Sequence, residues 1–212
     1  MARMSFALLI TGISLPTIAA DPSGSGYLHL GASAVRQADD ARLFVMGAPV
    51  AGAGFATQLG LTASVEAGVF LRDGFALAAS AMWPVTTPNI ATGSIAALGN
   101  LGDETAGFYS VTAQYHLPLG SELSAYVGGG VGYMHVFGTA DGAVTDMAVS
   151  NALGGVLQAG LDYRIADGLG VFVDIKRYFI STTASGRLGG TPITAEARVD
   201  PWVISSGLGI SF

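Results

Sequence analysis

The segment Arg198 to Phe212, RVDPWVISSGLGISF, alternates. Trp202, Ile204, Leu208, Ile210 and Phe212 share one parity, while Ser205, Gly207, Gly209 and Ser211 share the other. Successive side chains of a β-strand point to opposite faces. The segment therefore reads as a strand with one oily face and one small or polar face.

The same period of two recurs along the chain. Tyr27 to Arg36 sets Leu28, Leu30, Ala32 and Ala34 against His29, Gly31 and Ser33. Phe55 to Arg72 sets Leu59, Leu61, Ala63, Val65, Val69 and Leu71 against Gln58, Thr62, Ser64 and Glu66. Gly74 to Trp83 carries Phe75, Leu77 and Trp83 on one side, and Phe108 to Leu117 opposes Tyr109, Val111, Tyr115 and Leu117 to Ser110, Thr112, Gln114 and His116. Leu123 to Phe137, Ser150 to Ile165 and Leu169 to Thr182 follow the rule, although Phe172 and Arg177 break parity in the last. With the terminal segment these predict eight strands.

Composition decides what the oily faces meet. Half of the 212 residues are hydrophobic, only 11% are charged, and mean hydropathy is +0.53. Soluble domains carry about 25% charged residues. A soluble barrel with its apolar residues inside would need a more polar exterior than this chain supplies. Membrane helices fare no better: the longest uncharged stretches, Leu43 to Val65 and Gly74 to Gly102, are interrupted by Pro49, Pro84, Pro88 and several glycines. Nine Lys+Arg against fifteen Asp+Glu give a net charge of −6, and Lys176 is the only lysine. Nucleic acid is excluded as a partner, because no basic patch is available to neutralise phosphates.

The connections alternate in length. Arg72-Asp73-Gly74, Pro118 to Ser121 and Ala166-Asp167-Gly168 are tight-turn sequences, with glycine supplying the positive φ that a short hairpin needs. Gln37 to Gly54, Pro84 to Gly107, Gly138 to Val149 and Thr183 to Ala195 read as long loops. An even strand number with short turns on one rim and long loops on the other predicts an all-β, closed, eight-stranded antiparallel transmembrane β-barrel of outer-membrane type. Closure is compulsory, since lipid offers no partner to an open sheet edge. The first strand is expected to pair with the last, with Trp202 and Phe212 in the aromatic girdles. Residues 1–20, MARMSFALLITGISLPTIAA, read as a cleavable secretory signal with a short apolar core after Arg3, leaving 21–212 as the barrel domain.

Inward parity selects a first group of candidate site residues. Glu66, Asp162, Arg164, Asp174 and Lys176 are charged positions expected to face the lumen and pair with one another as a plug, because unpaired charge in a narrow space of low dielectric is costly. A proton or ion pathway is the alternative role for the same set. A second group is apolar and sits in the long connections: Leu43, Phe44, Met46, Ile95 and Leu98, with Met82 and Met134 pointing inward near them. These residues form either a greasy funnel or the packing of strands that continue above the membrane, with a short helix at Ser94 to Leu98.

Catalytic, cofactor-binding and metal-binding residues are not expected. Cysteine is absent, no metal-ligand spacing or phosphate loop occurs, and none of His29, His116 and His135 has a serine two positions on.

Five segments carry a family resemblance: Thr57 to Thr62 (TQLGLT), Val111 to His116 (VTAQYH), Tyr126 to Tyr133 (YVGGGVGY), Gln158 to Tyr163 (QAGLDY) and Asp200 to Val203 (DPWV). In order and spacing they resemble the OmpW family of small outer-membrane proteins. The resemblance implies residence in the outer membrane of a Gram-negative bacterium, amid lipid and lipopolysaccharide. It also implies a narrow hydrophobic passage that takes small apolar solutes across and releases them sideways into the bilayer. A monomer is expected, with the C-terminal strand as the contact for the barrel assembly machinery. The competing readings are a structural or adhesive surface barrel and, behind it, a lipid-modifying enzyme.

Overall fold

The computed structural model describes residues 26–37, 40–72 and 74–212. The expected signal segment, residues 1–20, lies outside the described residues. In chain order the strands are β1 (Gly26–Arg36), β2 (Asp40–Val45), β3 (Ala48–Pro49), β4 (Ala53–Thr57), β5 (Gly60–Arg72), β6 (Phe75–Met82), β7 (Val85–Gly93) and β8 (Asn100–Pro118). They continue as β9 (Leu123–Asp141), β10 (Val144–Val149), β11 (Ala152–Ala166), β12 (Leu169–Phe179), β13 (Ser181–Leu188), β14 (Thr191–Arg198) and β15 (Trp202–Ser211). One 3-10 turn, Ala96–Leu98, lies between β7 and β8.

Eight of these strands close a ring. β1 pairs with β5, β5 with β6, β6 with β8, β8 with β9, β9 with β11, β11 with β12, β12 with β15 and β15 with β1, all antiparallel. The last pairing runs from Tyr27↔Ser211 to Arg36↔Trp202. It reaches the final residue: Gly26 N donates to Phe212 O at 2.8 Å, and Phe212 N donates to Gly26 O at 3.0 Å.

The two faces of the ring invert the arrangement of a soluble protein. Leu61, Leu77, Val111, Val127, Leu157, Val173, Ile204 and Leu208 are exposed on the outside, while Ser33, Glu66, Gln114, Gln158, Asp174 and Ser205 are buried inside. Only a hydrocarbon surrounding makes such an exterior favourable. Aromatic residues mark its two boundaries. Phe75 and Tyr115 pack at 4.9 Å near the tight turns, with Tyr163 and Phe212 exposed at the same rim. Trp83, Phe137, Phe179 and Trp202 stand exposed at the opposite level, where the Arg177 guanidinium lies 5.0 Å from the Trp202 ring centre.

Small inward residues let a barrel of this width hold large rings. A methyl group on Gly68 would collide with the Tyr27 ring, and one on Gly160 with the Tyr126 ring.

The long connections are not loops. β8 and β9 each run for 19 residues, about 60 Å of strand and about 45–50 Å of height once tilted, against an apolar band of about 25 Å. Roughly half of each therefore stands above the membrane. There β7 pairs with upper β8 and with β4, while β10, β13, β14, β2 and β3 form a separate five-stranded sheet.

Two expected strands are divided as a result. Phe55 to Arg72 breaks at Gln58-Leu59, where β4 leaves to pair with β7. Leu169 to Thr182 breaks at Ile180, whose N–H donates to Asp200 Oδ1 at 2.8 Å. Asp200 itself holds a left-handed backbone, φ 30°. This bend turns β13 and β14 away from the ring to build an extracellular collar.

Candidate functional site

Three layers fill the tube from the tight-turn rim to the collar. The lowest is polar. Lys176 Nζ lies 2.9 Å from Glu66 Oε2 and 2.6 Å from Asp174 Oδ1, and all three side chains are buried. One cation between two carboxylates leaves acceptor lone pairs over, and neutral donors fill them. Gln158 Nε2 donates to Glu66 Oε2 at 2.9 Å and to Asp174 Oδ2 at 2.7 Å. Tyr27 OH donates to Glu66 Oε1 at 2.9 Å, and Tyr126 OH to Asp174 Oδ2 at 3.0 Å.

Asp162 stands apart from this triad. It faces His29 Nε2 at 2.9 Å and His116 Nδ1 at 3.9 Å, with His29 stacked on Phe172 at 4.2 Å and His116 on Tyr126 at 4.8 Å.

Arg164 corrects the expected set. It is exposed at the rim, and its guanidinium donates to the Ser121 carbonyl in the neighbouring turn between β8 and β9 rather than into the lumen. Near the end of a strand, inward parity no longer means enclosure, and an arginine gains more from water and an open carbonyl than from a crowded bore. The inward glutamines and tyrosines were legible as small polar interruptions of the oily pattern, but nothing in the pattern singled them out as the partners of the charges.

The middle layer is apolar. Met82, Phe108, Met134, Val156, Tyr178, Ile180 and Val203 are all buried in one cluster across the bore. Phe108 and Tyr178 rings pack at 5.5 Å. Met82 and Met134 belong to this seal rather than to the collar above it.

The upper layer is the inside of the collar. Ala91, Leu101, Val144 and Ile193 are buried there, with Leu43, Val45, Phe55, Ile95, Leu98 and Met147 packed against them. Of these, Leu43, Phe55, Ile95, Leu101, Val144, Met147 and Ile193 line a cavity of about 70 Å³. Leu43, Ile95 and Leu98 thus come together. Phe44 and Met46 do not join them: Phe44 falls on the opposite parity of β2, and Met46, 81% exposed with φ 50°, forms the turn into β3.

One wall residue of this cavity is ionisable. Glu104, on β8, is 8% exposed, lines the cavity, and has an Oε1 atom with no hydrogen-bond partner. It pairs with Thr139, two residues beyond Phe137 of the outer girdle, and so lies outside the membrane-spanning part of the strand. Burial pushes its carboxyl up to about 7, because no neighbouring cation offsets the loss of water. Continuing the inward parity of Ser110, Thr112 and Gln114 back along the strand would have found it, had Pro84 to Gly107 not read as a loop.

A closed barrel with an apolar exterior, two aromatic girdles and a filled bore defines an outer-membrane β-barrel protein. The family model described as OmpW family matches residues 23–212. The chain belongs to the OmpW family, and its place is the outer membrane of a Gram-negative bacterium.

The chain is 29% identical over 119 residues to outer membrane protein AlkL of Ectopseudomonas oleovorans, covering 56% of this chain and 52% of that protein. It is 29% identical over 129 residues to the dibenzothiophene metabolism operon protein PahQ of Pseudomonas aeruginosa, 61% of each chain. The chain thus spans about half to three fifths of these relatives. The crystal structure of the outer membrane protein OprG from Pseudomonas aeruginosa superposes with a TM-score of 0.82 at 22% identity, over 90% of this chain and 96% of that one, a likeness of fold.

Proposed function

We propose that this protein is a non-catalytic conduit that takes small apolar molecules from outside the cell and delivers them into the hydrocarbon of the outer membrane. The observation that carries the reading is the apolar cavity of the collar standing above a bore closed twice, by the Phe108–Met134 layer and by the Lys176 network. A water-filled pore for sugars or ions would need the inverse arrangement, a polar and open bore. The buried triad acts here as a plug: its charges are mutually satisfied, and water or an ion could enter only by displacing them.

With the axial route closed, a molecule in the cavity leaves sideways into the lipopolysaccharide layer that surrounds the collar, and partitions from there into the hydrocarbon below. The ten-stranded sheet ends on β4 and the five-stranded sheet ends on β3, next to β2, and among the described residues no ladder joins these edges. Leu43 on β2 and Phe55 on β4 line the cavity at this seam. Separating them breaks side-chain packing rather than a row of backbone hydrogen bonds. The name of PahQ points the same way, since dibenzothiophene is a flat, apolar aromatic molecule.

The test is uptake into liposomes with and without the protein, comparing an apolar aromatic solute with a sugar of similar size. Protein-dependent acceleration is expected for the apolar solute alone. Equal rates for that solute in both preparations would remove the conduit reading and leave a structural or adhesive surface barrel.

A further inference from the structure

An ideal hydrocarbon funnel would have no ionisable group in its wall, yet Glu104 is there. Two of the polar side chains that share this wall are already engaged with the backbone. Asn89 Nδ2 donates to Gly102 O at 3.2 Å, and Thr182 Oγ1 donates to Ser150 O at 2.6 Å. Across the neighbouring strands Glu104 faces Thr87 and Thr139, and Thr139 Oγ1 is committed to Met147 O at 2.6 Å. No other ionisable residue lines the cavity among the described residues. Buried side-chain oxygens in folded proteins nearly always find a donor, and one left without a partner is a position at which a ligand's donor gains a full hydrogen bond.

We propose that Glu104 is a recognition group, and that the cavity selects apolar molecules carrying one hydrogen-bond donor, a hydroxyl or an amine, over hydrocarbons of the same shape. This inference rests on the conduit reading and refines it: the apolar wall holds the body of the molecule while Glu104 Oε1 accepts its donor. The chemistry is that of any buried acceptor, needing a donor heavy atom at about 2.6–3.0 Å. A molecule offering only an acceptor, such as an ether, gains nothing from the carboxylate. One offering neither group leaves the carboxyl buried and unsatisfied, as it is without ligand.

The test uses the full chain in lipid nanodiscs at pH 8, above the value of about 7 for this carboxyl. Four small aromatic probes are titrated, toluene, anisole, benzyl alcohol and benzylamine, with anisole matching the two donors in size. Binding is followed by the side-chain carboxyl resonances of ¹³C-glutamate-labelled protein and by the apparent Kd.

Benzyl alcohol and benzylamine are expected to bind about tenfold or more tightly than toluene or anisole. Glu104→Leu should erase that difference while keeping the toluene affinity. Glu104→Gln, which retains a neutral acceptor, should keep much of the preference for the alcohol and lose that for the amine. Heat-modifiable migration of both variants establishes that the barrel has formed. Equal affinity of the native protein for all four probes, or an unchanged ranking in Glu104→Leu, overturns the inference and leaves the conduit intact. Failure of toluene and every other probe to bind overturns the conduit reading on which it rests.

Discussion

Lys176, the only lysine in the chain, sits between Glu66 and Asp174 at distances of 2.9 and 2.6 Å. Breaking a buried pair of this kind costs more than the pair contributes, because the two carboxylates lose the one cation between them and keep only neutral donors. Glu104 is the opposite case, an acid without a partner. Its carboxyl is raised by burial from its ordinary 4.5 to about 7, so between these values the folded protein binds a proton that the unfolded chain releases. Stability must therefore fall as pH rises through that window. Glu104→Gln should remove this dependence, with a difference from the native protein growing to about 3 kcal/mol above pH 7. Urea unfolding in lipid vesicles at pH 4.5 and pH 8 checks it, and parallel profiles for the two proteins would show that the carboxyl is not buried as described. Both residues were visible in the sequence, but differently. Lys176 and its acids announced themselves by inward parity, whereas Glu104 lay in a stretch whose strand character was hidden.

Strand parity makes the sharpest demand on individual elements. Val127 and Leu61 point into hydrocarbon, while Ser124 on β9 and Thr62 on β5 take the inward parity of the same strands. Val131→Arg, on the same outward parity and opposite Val111 midway between the two girdles, should cost about 2–4 kcal/mol, the range for arginine near the bilayer midplane, and slow assembly into vesicles. Ser124→Ala should change the unfolding free energy by less than about 1 kcal/mol. The measurement is equilibrium unfolding followed by tryptophan fluorescence. Equal effects would mean that Val131 does not face lipid. The same parity failed to show where the strands stop. In the membrane, alternation is sharp because lipid and lumen differ so strongly. In the collar both neighbours are protein or water, the contrast fades, and segments such as Val85–Gly93 and Thr191–Arg198 look like loops. Their pairing comes from antiparallel hairpin geometry, which only the folded chain expresses.

The ring, the two seals and the collar stack along one axis, and the seals fill the bore between the collar and the tight-turn rim. An intact bore of this kind should pass no steady ion current. Planar-bilayer recordings of the purified protein are expected to show no persistent conductance steps, and Phe108→Ala should leave the trace quiet because the Lys176 network still fills the tube beneath. Stable open steps in the native protein would require a continuous wet path that the two layers do not permit. At this scale the amino-acid sequence by itself determined that the chain forms a closed barrel in a membrane, because alternation, an even number of strands and the penalty for an open edge in lipid allow no other solution. Only the tertiary structure decided that Arg164 leaves the lumen, that the long connections rise as a collar, and that Glu104 faces Leu43 and Ile193 across a cavity. These outcomes depend on contacts between residues far apart in the chain, whose distances are set by strand register and by the bend at Asp200, and no local pattern carries that information.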